Sequence, residues 1–419
     1  MSTATTPVPL RRDPAFLRFL AARTVAVAGA AVTGVALPLL VFRLSGSAFL
    51  TAAVSAVAVL PYLVFGLVAG ALADRVDRRR LMLGCQAVAG TALATVPLAA
   101  ALDVLTVGHV LAAAAVLFTA FVWFDAASFG ALPRLVGRSR LPEANSLVFT
   151  SASVVDVSFP AVAGLLIALV GPAFALGLDV LSYLVAGLLI ASIRVPLSDA
   201  RRPPAAEGPG LLARTAGDIR EGLVFLWQQP VVRALSLFGF GQSLSAGAVT
   251  GLLVVYGVDG LGLDPGSGLV GGLYVAVAAG GLIAGASLTP LSRRVPVGWI
   301  TIAAYAANAV LLLALALTTV VVPALALLVA WSTASVLSIV NGITTRQRVT
   351  PDALQGRVNT TARMIAWGGA PVGALTGGAV AGATDVRTAF LVATVGVGLS
   401  AVLSTASPLR RRRLLPEGA

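Results

Sequence analysis

Apolar stretches of roughly 20 to 28 residues recur about twelve times between Phe16 and Ala406, and the arginines fall almost entirely in alternate gaps between them. About 20 apolar residues is the length a helix needs to cross the hydrocarbon core of a bilayer. Hydrocarbon offers no hydrogen-bond partners, so each such stretch must satisfy its own backbone, which at this length means an α-helix. Charged residues are 11% of the chain and apolar residues 58%, with mean hydropathy +0.95. A water-soluble domain of 419 residues would need more polar surface than that. The sequence therefore predicts an all-α polytopic membrane protein.

Charge placement gives the expected topology. Lysine is absent, and 29 arginines against 17 acidic residues leave a formal net charge of +12. In a soluble chain that balance would suggest a nucleic-acid partner. Here every arginine except Arg23, Arg43, Arg363 and Arg387 falls on one side once the N-terminus is put in the cytoplasm. The positive-inside rule accounts for the charge, so no nucleic acid is expected and both termini are predicted to be cytoplasmic. Arg11-Arg12 before an apolar run faintly resembles a twin-arginine export signal, but the run is a full span and leads into further spans. A single cysteine, Cys85, excludes an internal disulfide, and with one histidine, His109, there is no Cys/His cluster for a metal. No cofactor is expected. The Ala, Gly, Val, Leu and Arg usage is that of a GC-rich bacterial genome, and the expected location is the bacterial cytoplasmic membrane.

Spans are predicted over 16–43, 48–72, 81–102, 106–131, 143–170 and 172–193, and again over 231–257, 268–290, 296–318, 320–345, 354–383 and 386–407. The longest polar interruption, 194–230, separates the two sets. The chain is thus expected to form two pseudo-symmetric six-helix bundles, 1–193 and 231–419, around a linker. Within the linker, Asp218 to Gln229 reads as an amphipathic helix capped by Asp218, with Leu223, Phe225, Leu226 and Trp227 on the membrane surface and Pro230 opening the next span. Weak repetition supports duplication: Arg140-Leu-Pro-Glu-Ala-Asn145 enters span 5 and Leu354-Gln-Gly-Arg-Val-Asn359 enters span 11. Gly281 with Gly285 in span 8, and Gly369, Gly373 and Gly377 in span 11, have the four-residue spacing of close helix packing in lipid.

The loop after span 2 reads Gly70-Ala-Leu72-Ala-Asp74-Arg75-Val-Asp77-Arg78-Arg79-Arg80. A carboxylate followed one turn later by arginines can make charge-assisted bonds that hold helix ends together, or it can simply set topology. The spacing resembles the signature loop of the major facilitator superfamily, with Asp77 where that family usually has glycine. Glu221-Gly222 through Pro230, Ala131-Leu-Pro133-Arg134 to Asn145, and Arg346-Gln347-Arg348 through Asn359 are similar to the macrolide-efflux and enterobactin-exporter branch. The resemblance covers essentially the whole chain. It implies a monomeric twelve-helix secondary transporter, proton-driven, that exports amphipathic small molecules by alternating access. It also implies a gate in which Asp74, Arg78 and Asp125, with Gly70 and Arg75 in the same loop, hold span 2 to span 11. An uptake carrier of the same fold, or a lipid or lysolipid transporter, would share these motifs.

Ionisable residues inside spans cost roughly 2.5 to 3.5 kcal/mol to insert and are functional candidates for that reason. Asp156 lies about eleven residues into span 5, roughly 16 Å deep. It is either a proton-coupling group or a structural partner for Arg23. Asp125 in span 4 is shallower and is a second coupling and gating candidate, with Arg75 or Arg78 as expected neighbours. Asp179 in span 6 is expected to be structural, and Arg363 to snorkel. Arg23, Phe121 and Trp367 are the candidate cavity residues, with Phe118, Trp123, Phe124 and Trp331 as further aromatics. No H-E-x-x-H, G-x-S-x-G or G-x-x-x-x-G-K-[ST] is present, so an enzyme is not expected. Nor does one chain of unequal spans offer the repeated selectivity element of a channel.

Overall fold

The computed structural model describes residues 10–73, 76–198, 211–265, 267–351 and 354–410. Six long helices come first: α1 (Pro14–Ser45), α2 (Ala48–Ala73), α3 (Arg78–Ala101), α4 (Val107–Val136), α5 (Leu141–Val170) and α6 (Pro172–Ser192). After the linker helix α7 (Leu211–Gln228) come α8 (Pro230–Gly251) and the short α9 (Leu253–Val255), which runs into a π turn at Tyr256–Gly260. The chain ends with α10 (Leu269–Ser292), α11 (Val297–Leu317), α12 (Val321–Val349), α13 (Gln355–Ala383) and α14 (Val386–Thr405). Among the described residues eleven helices are long and apolar enough to span a membrane. The twelfth, α8, qualifies only when joined to the end of α7 across a 106° bend. Arg233, Gln242 and several serines make it the more polar helix.

The helix starts follow local chemistry. Asp13 caps α1 by accepting the N–H groups of Ala15 (3.0 Å) and Phe16 (3.3 Å), with Pro14 at the first helical position. Asp77 does the same for α3, accepting the N–H of Arg80 at 2.9 Å. Its φ of −65° explains why aspartate replaces the usual glycine there: the turn needs a cap, not a left-handed backbone. The linker helix begins at Leu211, seven residues before the expected cap, so Asp218 lies inside it. Its apolar side chains also divide differently from expectation. Leu226 is buried against Val232, Val358 and Ala362, with Phe225 packed on the same cluster, whereas Val224 and Trp227 stay exposed. Packing on α13 has taken the face expected to rest on the membrane.

Packing divides the chain into two compact units, one of Met1–Leu37 and Val64–Gly208, the other of Pro38–Leu63 and Pro209–Ala419. In the first, α3 packs on α4 and α6, and Gly90 brings α3 close enough that an added Cβ would sit 3.1 Å from Cβ of Tyr183. The second unit is centred on α8 against α13, where the backbones touch. A Cβ on Gly369, Gly373 or Gly247 would collide with the carbonyls of Phe240, Leu244 and Ala370, and one on Gly377 would lie 3.0 Å from Cβ of Ala248. The glycine spacing expected of span 11 is thus a packing face. The span 8 expectation needs correction: Gly285 faces open space and Gly281 meets only Val336 at 3.9 Å. The contact glycine of α10 is Gly280, against Val329, Ser332 and Thr333 of α12. The pattern was offset because the buried stripe of α10 runs through Leu273, Ala276, Gly280 and Ala284.

Two stability tests follow from this geometry. Gly373→Ala should destabilise the detergent-solubilised protein by about 1 to 3 kcal/mol, the usual effect of overpacking, whereas Gly285→Ala should leave the melting temperature unchanged. Equal effects of the two would remove the backbone contact as the basis of the α8/α13 pair. The second test concerns Asp385, which stands exposed ahead of α14. Its carboxylate lies below the ordinary range because it accepts the N–H and hydroxyl of Thr388 and the N–H of Arg387. A depressed acid stabilises the fold above its unfolded value and loses that contribution as pH falls through the folded value. Asp385→Ala should therefore melt below wild type at neutral pH, and the gap should begin to shrink as pH drops below about 4 and close only once pH falls below the folded value; a pH-independent gap would refute the cap.

Candidate functional site

In the first unit, α4 presents Phe124, Asp125 and Ser128 within one turn, so Asp125 and Ser128 share a face. Arg23 reaches that face from α1. Its Nη1 lies 3.1 Å from Oδ1 of Asp125 and donates at 3.1 Å to Oγ of Ser128, while its guanidinium carbon sits 5.9 Å from the centre of the Phe124 ring. Three kinds of contact thus hold one cation: a carboxylate, a hydroxyl and an aromatic face. The Arg23 and Asp125 side chains are 21% and 30% exposed, so the pair is reachable rather than sealed. Asp125 accordingly finds its partner on α1, where the resemblance pointed to the loop arginines. Asp156, the other coupling candidate, is exposed on α5 with no hydrogen-bond or ion-pair partner among the described residues, and it is not the partner of Arg23.

Asp179 is a different kind of carboxylate. It is fully buried and accepts hydrogen bonds from the hydroxyls of Thr33 and of Ser182, the latter at 2.7 Å. Gly29 of α1 leaves the room, since a Cβ there would run into both Asp179 and Ser182. This arrangement matches the structural role expected for it.

The signature loop is tied to the exit of α6. Arg78 is buried, its Nε would lie 2.6 Å from a Cβ on Gly130 of α4, and its Nη1 donates to the carbonyl of Leu197 at 3.3 Å. Its backbone N–H donates to the Ser198 hydroxyl at 2.8 Å, and the Arg79 guanidinium donates to the carbonyl of Ala191. Gly70 is exposed with open space at its Cβ position. Asp74 and Arg75 lie outside the described residues.

The second unit offers an aromatic site. Trp367 of α13 is 40% exposed, meets Tyr62 edge-on at 6.3 Å between ring centres, and carries Arg363 over its face at 5.3 Å. Arg363 thus stacks on a ring one turn further along its own helix. Phe121 is partly buried on α4, whereas Trp331 is buried. A neutral polar core was not anticipated. Gln242 of α8 donates to Asn308 of α11 (3.3 Å) and to Ser335 of α12 (3.1 Å), Ser335 donates to Asn308 (3.0 Å), and Asn341 donates to Thr301 and to the Val297 carbonyl at 2.7 Å each. Its signal was present as the helical spacing of Ser335, Ser338, Asn341 and Thr345 on one face of α12.

A sequence profile described as transmembrane secretion effector matches residues 4–414. The multidrug efflux pump Tap of Mycobacterium tuberculosis is 29% identical over 97% of this chain and 96% of its own length. The enterobactin exporter EntS of Citrobacter koseri is 26% identical over 98% and 97%. Among solved structures, a mutant form of the nucleoside transporter NupG superposes with a TM-score of 0.76 at 12% identity, covering 95% of this chain and all of that one, which shows a shared fold.

If the Arg23–Asp125 contact holds α1 on α4, a double-mutant cycle with Arg23→Gln and Asp125→Asn should give a coupling of about 1 kcal/mol in thermal stability, small because both groups are partly solvated. Strictly additive variants would show that the pair contributes nothing to the fold.

Proposed function

Because the chain belongs to the transmembrane secretion effector family of the major facilitator superfamily, we propose that it is a proton-coupled exporter of amphipathic small molecules that works by alternating access. Membership makes it a multi-pass membrane transporter and not an enzyme. The observation that carries the finer reading is the reachable Arg23–Asp125 pair in spans that hold few other ionised groups. A proton arriving on Asp125 cancels its charge, releases Arg23, and changes the field at the site by one unit. Loss of that proton restores the pair. Load and release of this kind is what coupling needs, and Asp179, sealed between two hydroxyls, is poorly placed for it. Asp156, exposed and unpaired among the described residues, is the second carboxylate of the scheme.

Direction is supported by the named functions of the similar proteins, an efflux pump and an exporter. Arg23 beside Phe124, the nearby Phe121, and Trp367 with Tyr62 would supply amphipathic contacts suited to drug-like or siderophore-like molecules. We assign 1–193 and 231–419 as the two bundles that rock, 194–230 as their linker, and the arginine-rich side with both termini as cytoplasmic in a bacterial inner membrane. The loop of Gly70, Asp74, Arg75 and Arg78, together with Asp125, gates that side, and the working unit is a monomer.

Expression in a host stripped of its own pumps should lower retention of at least one lipophilic cation, macrolide or siderophore-like compound, and collapse of the proton gradient should restore it. Asp125→Asn and Asp156→Asn should each abolish gradient-driven extrusion and keep substrate counterflow in proteoliposomes, since counterflow moves no net proton. Wild-type extrusion by either variant would remove that residue from coupling. Gradient-dependent accumulation of a polar nutrient, with no effect on amphipathic compounds, would make the protein an uptake carrier.

A further inference from the structure

Two lateral grooves, away from the ion pair, are built alike. In the first unit a groove of about 570 Å³ runs between α3 and α4, walled mostly by apolar side chains that include Val88, Val116 and Trp123, and ending at Arg80. In the second unit a groove of about 570 Å³ runs between α11 and α12, with Trp299 and Leu311 in its wall and Leu291 and Val295 at one end. Those two residues flank Arg293 and Arg294. Helices α3 and α4 are the third and fourth spans of the first set, and α11 and α12 are the third and fourth of the second, so one feature occurs twice. Arg80 lies in the first turn of α3, just after the loop that follows span 2, Arg293 and Arg294 follow span 8, and span counting puts both places on the same side.

The lips are apolar and open: Val88, Val116 and Trp299 are 52%, 42% and 43% exposed. Surface of that kind at membrane depth meets acyl chains. The rim is cationic. Arg80, Arg293 and Arg294 are exposed, and none of their guanidinium groups has a hydrogen-bond or ion-pair partner among the described residues; the nearby Asp77 is occupied by the Arg80 N–H. Val88 lies eight residues from Arg80, about 12 Å along the helix, so a chain lying in the groove would have its headgroup at the arginine. Trp299 adds an amphipathic ring of the type found at the headgroup level.

We propose that each groove binds an acyl chain of an anionic phospholipid, with the phosphate held by Arg80 in one and by Arg293 and Arg294 in the other. A zwitterionic lipid gains less there because its own cation opposes the arginines, and a lipophilic cation is repelled by them. Each groove has a native reporter, Trp123 or Trp299. The full-length protein would be reconstituted into phosphatidylcholine vesicles containing equal fractions of acyl-brominated phosphatidylglycerol or acyl-brominated phosphatidylcholine, and fluorescence quenching recorded. Subtracting the Trp123→Phe and Trp299→Phe variants isolates each reporter.

The brominated phosphatidylglycerol should occupy the first groove with a preference of about fivefold, the size expected for one arginine near an anionic headgroup, and the second with up to about 25-fold for two. Arg80→Gln should abolish the preference at Trp123 and leave it at Trp299. Arg293→Gln with Arg294→Gln should do the reverse, so each reporter checks that the other variant is folded. Equal quenching of wild type by the two lipids would reduce the grooves to ordinary lipid contact. Loss at both reporters from one variant, or at neither, would also overturn the assignment. So would reversal of the quenching by tetraphenylphosphonium, which would give the grooves to an exported cation.

Discussion

Inside a bilayer the hydrophobic effect gives two apolar helices no reason to associate, so this chain holds its helices together by letting their backbones touch. The α8/α13 contact is the clearest case. Gly369, Gly373 and Gly247 each lie against a carbonyl of the opposite helix, and Gly377 lies against Ala248. Gly280 does the same between α10 and α12, and Gly29 lets α1 close over Asp179. Dispersion at these short-range contacts depends steeply on distance, so the positions of the side chains between the helices are set by the glycines beneath them. Trp367 stands two residues from Gly369, and Gln242 lies between the contacts of Phe240 and Leu244.

Buried polarity takes more than one form here. In the second unit the Gln242, Asn308 and Ser335 cluster is neutral and carries no charge to desolvate, while Arg346 is buried on α12 as a cation. The first keeps an ionised pair that is partly open to solvent, and an open pair can change its charge where a neutral amide cannot.

The fold was legible from the sequence because helix length and arginine placement are imposed by the bilayer and act on each segment separately. Pro230 at the start of α8 and the glycines of α13 are local in the same sense, whereas the caps at Asp13 and Asp77 were missed and the cap expected at Asp218 lies inside α7. The partner of Asp125 was not legible. Arg23 lies 102 residues away, and nothing in either segment encodes which helix faces which. The polar stripe of α12 could have been found by its spacing, but without a facing helix it does not reveal that Gln242 and Asn308 complete it. The one-residue offset from Gly281 to Gly280 has the same origin, since several small residues in α10 give it more than one face suited to close approach.

Pro38 and Pro61 stand inside α1 and α2, at or within three residues of the points where each helix passes from one compact unit to the other. Neither proline has an N–H, so the carbonyls of Gly34 and Val57 lack their ladder partners already. Bending α1 or α2 at these places breaks no hydrogen bond that the straight helix possesses. Between the prolines the chain is a tight hairpin, closed by Gly46 and Ser47, whose Phe49 and Ala52 are seated on Gly378. Each proline is thus a point at which its own helix can flex without losing a ladder hydrogen bond.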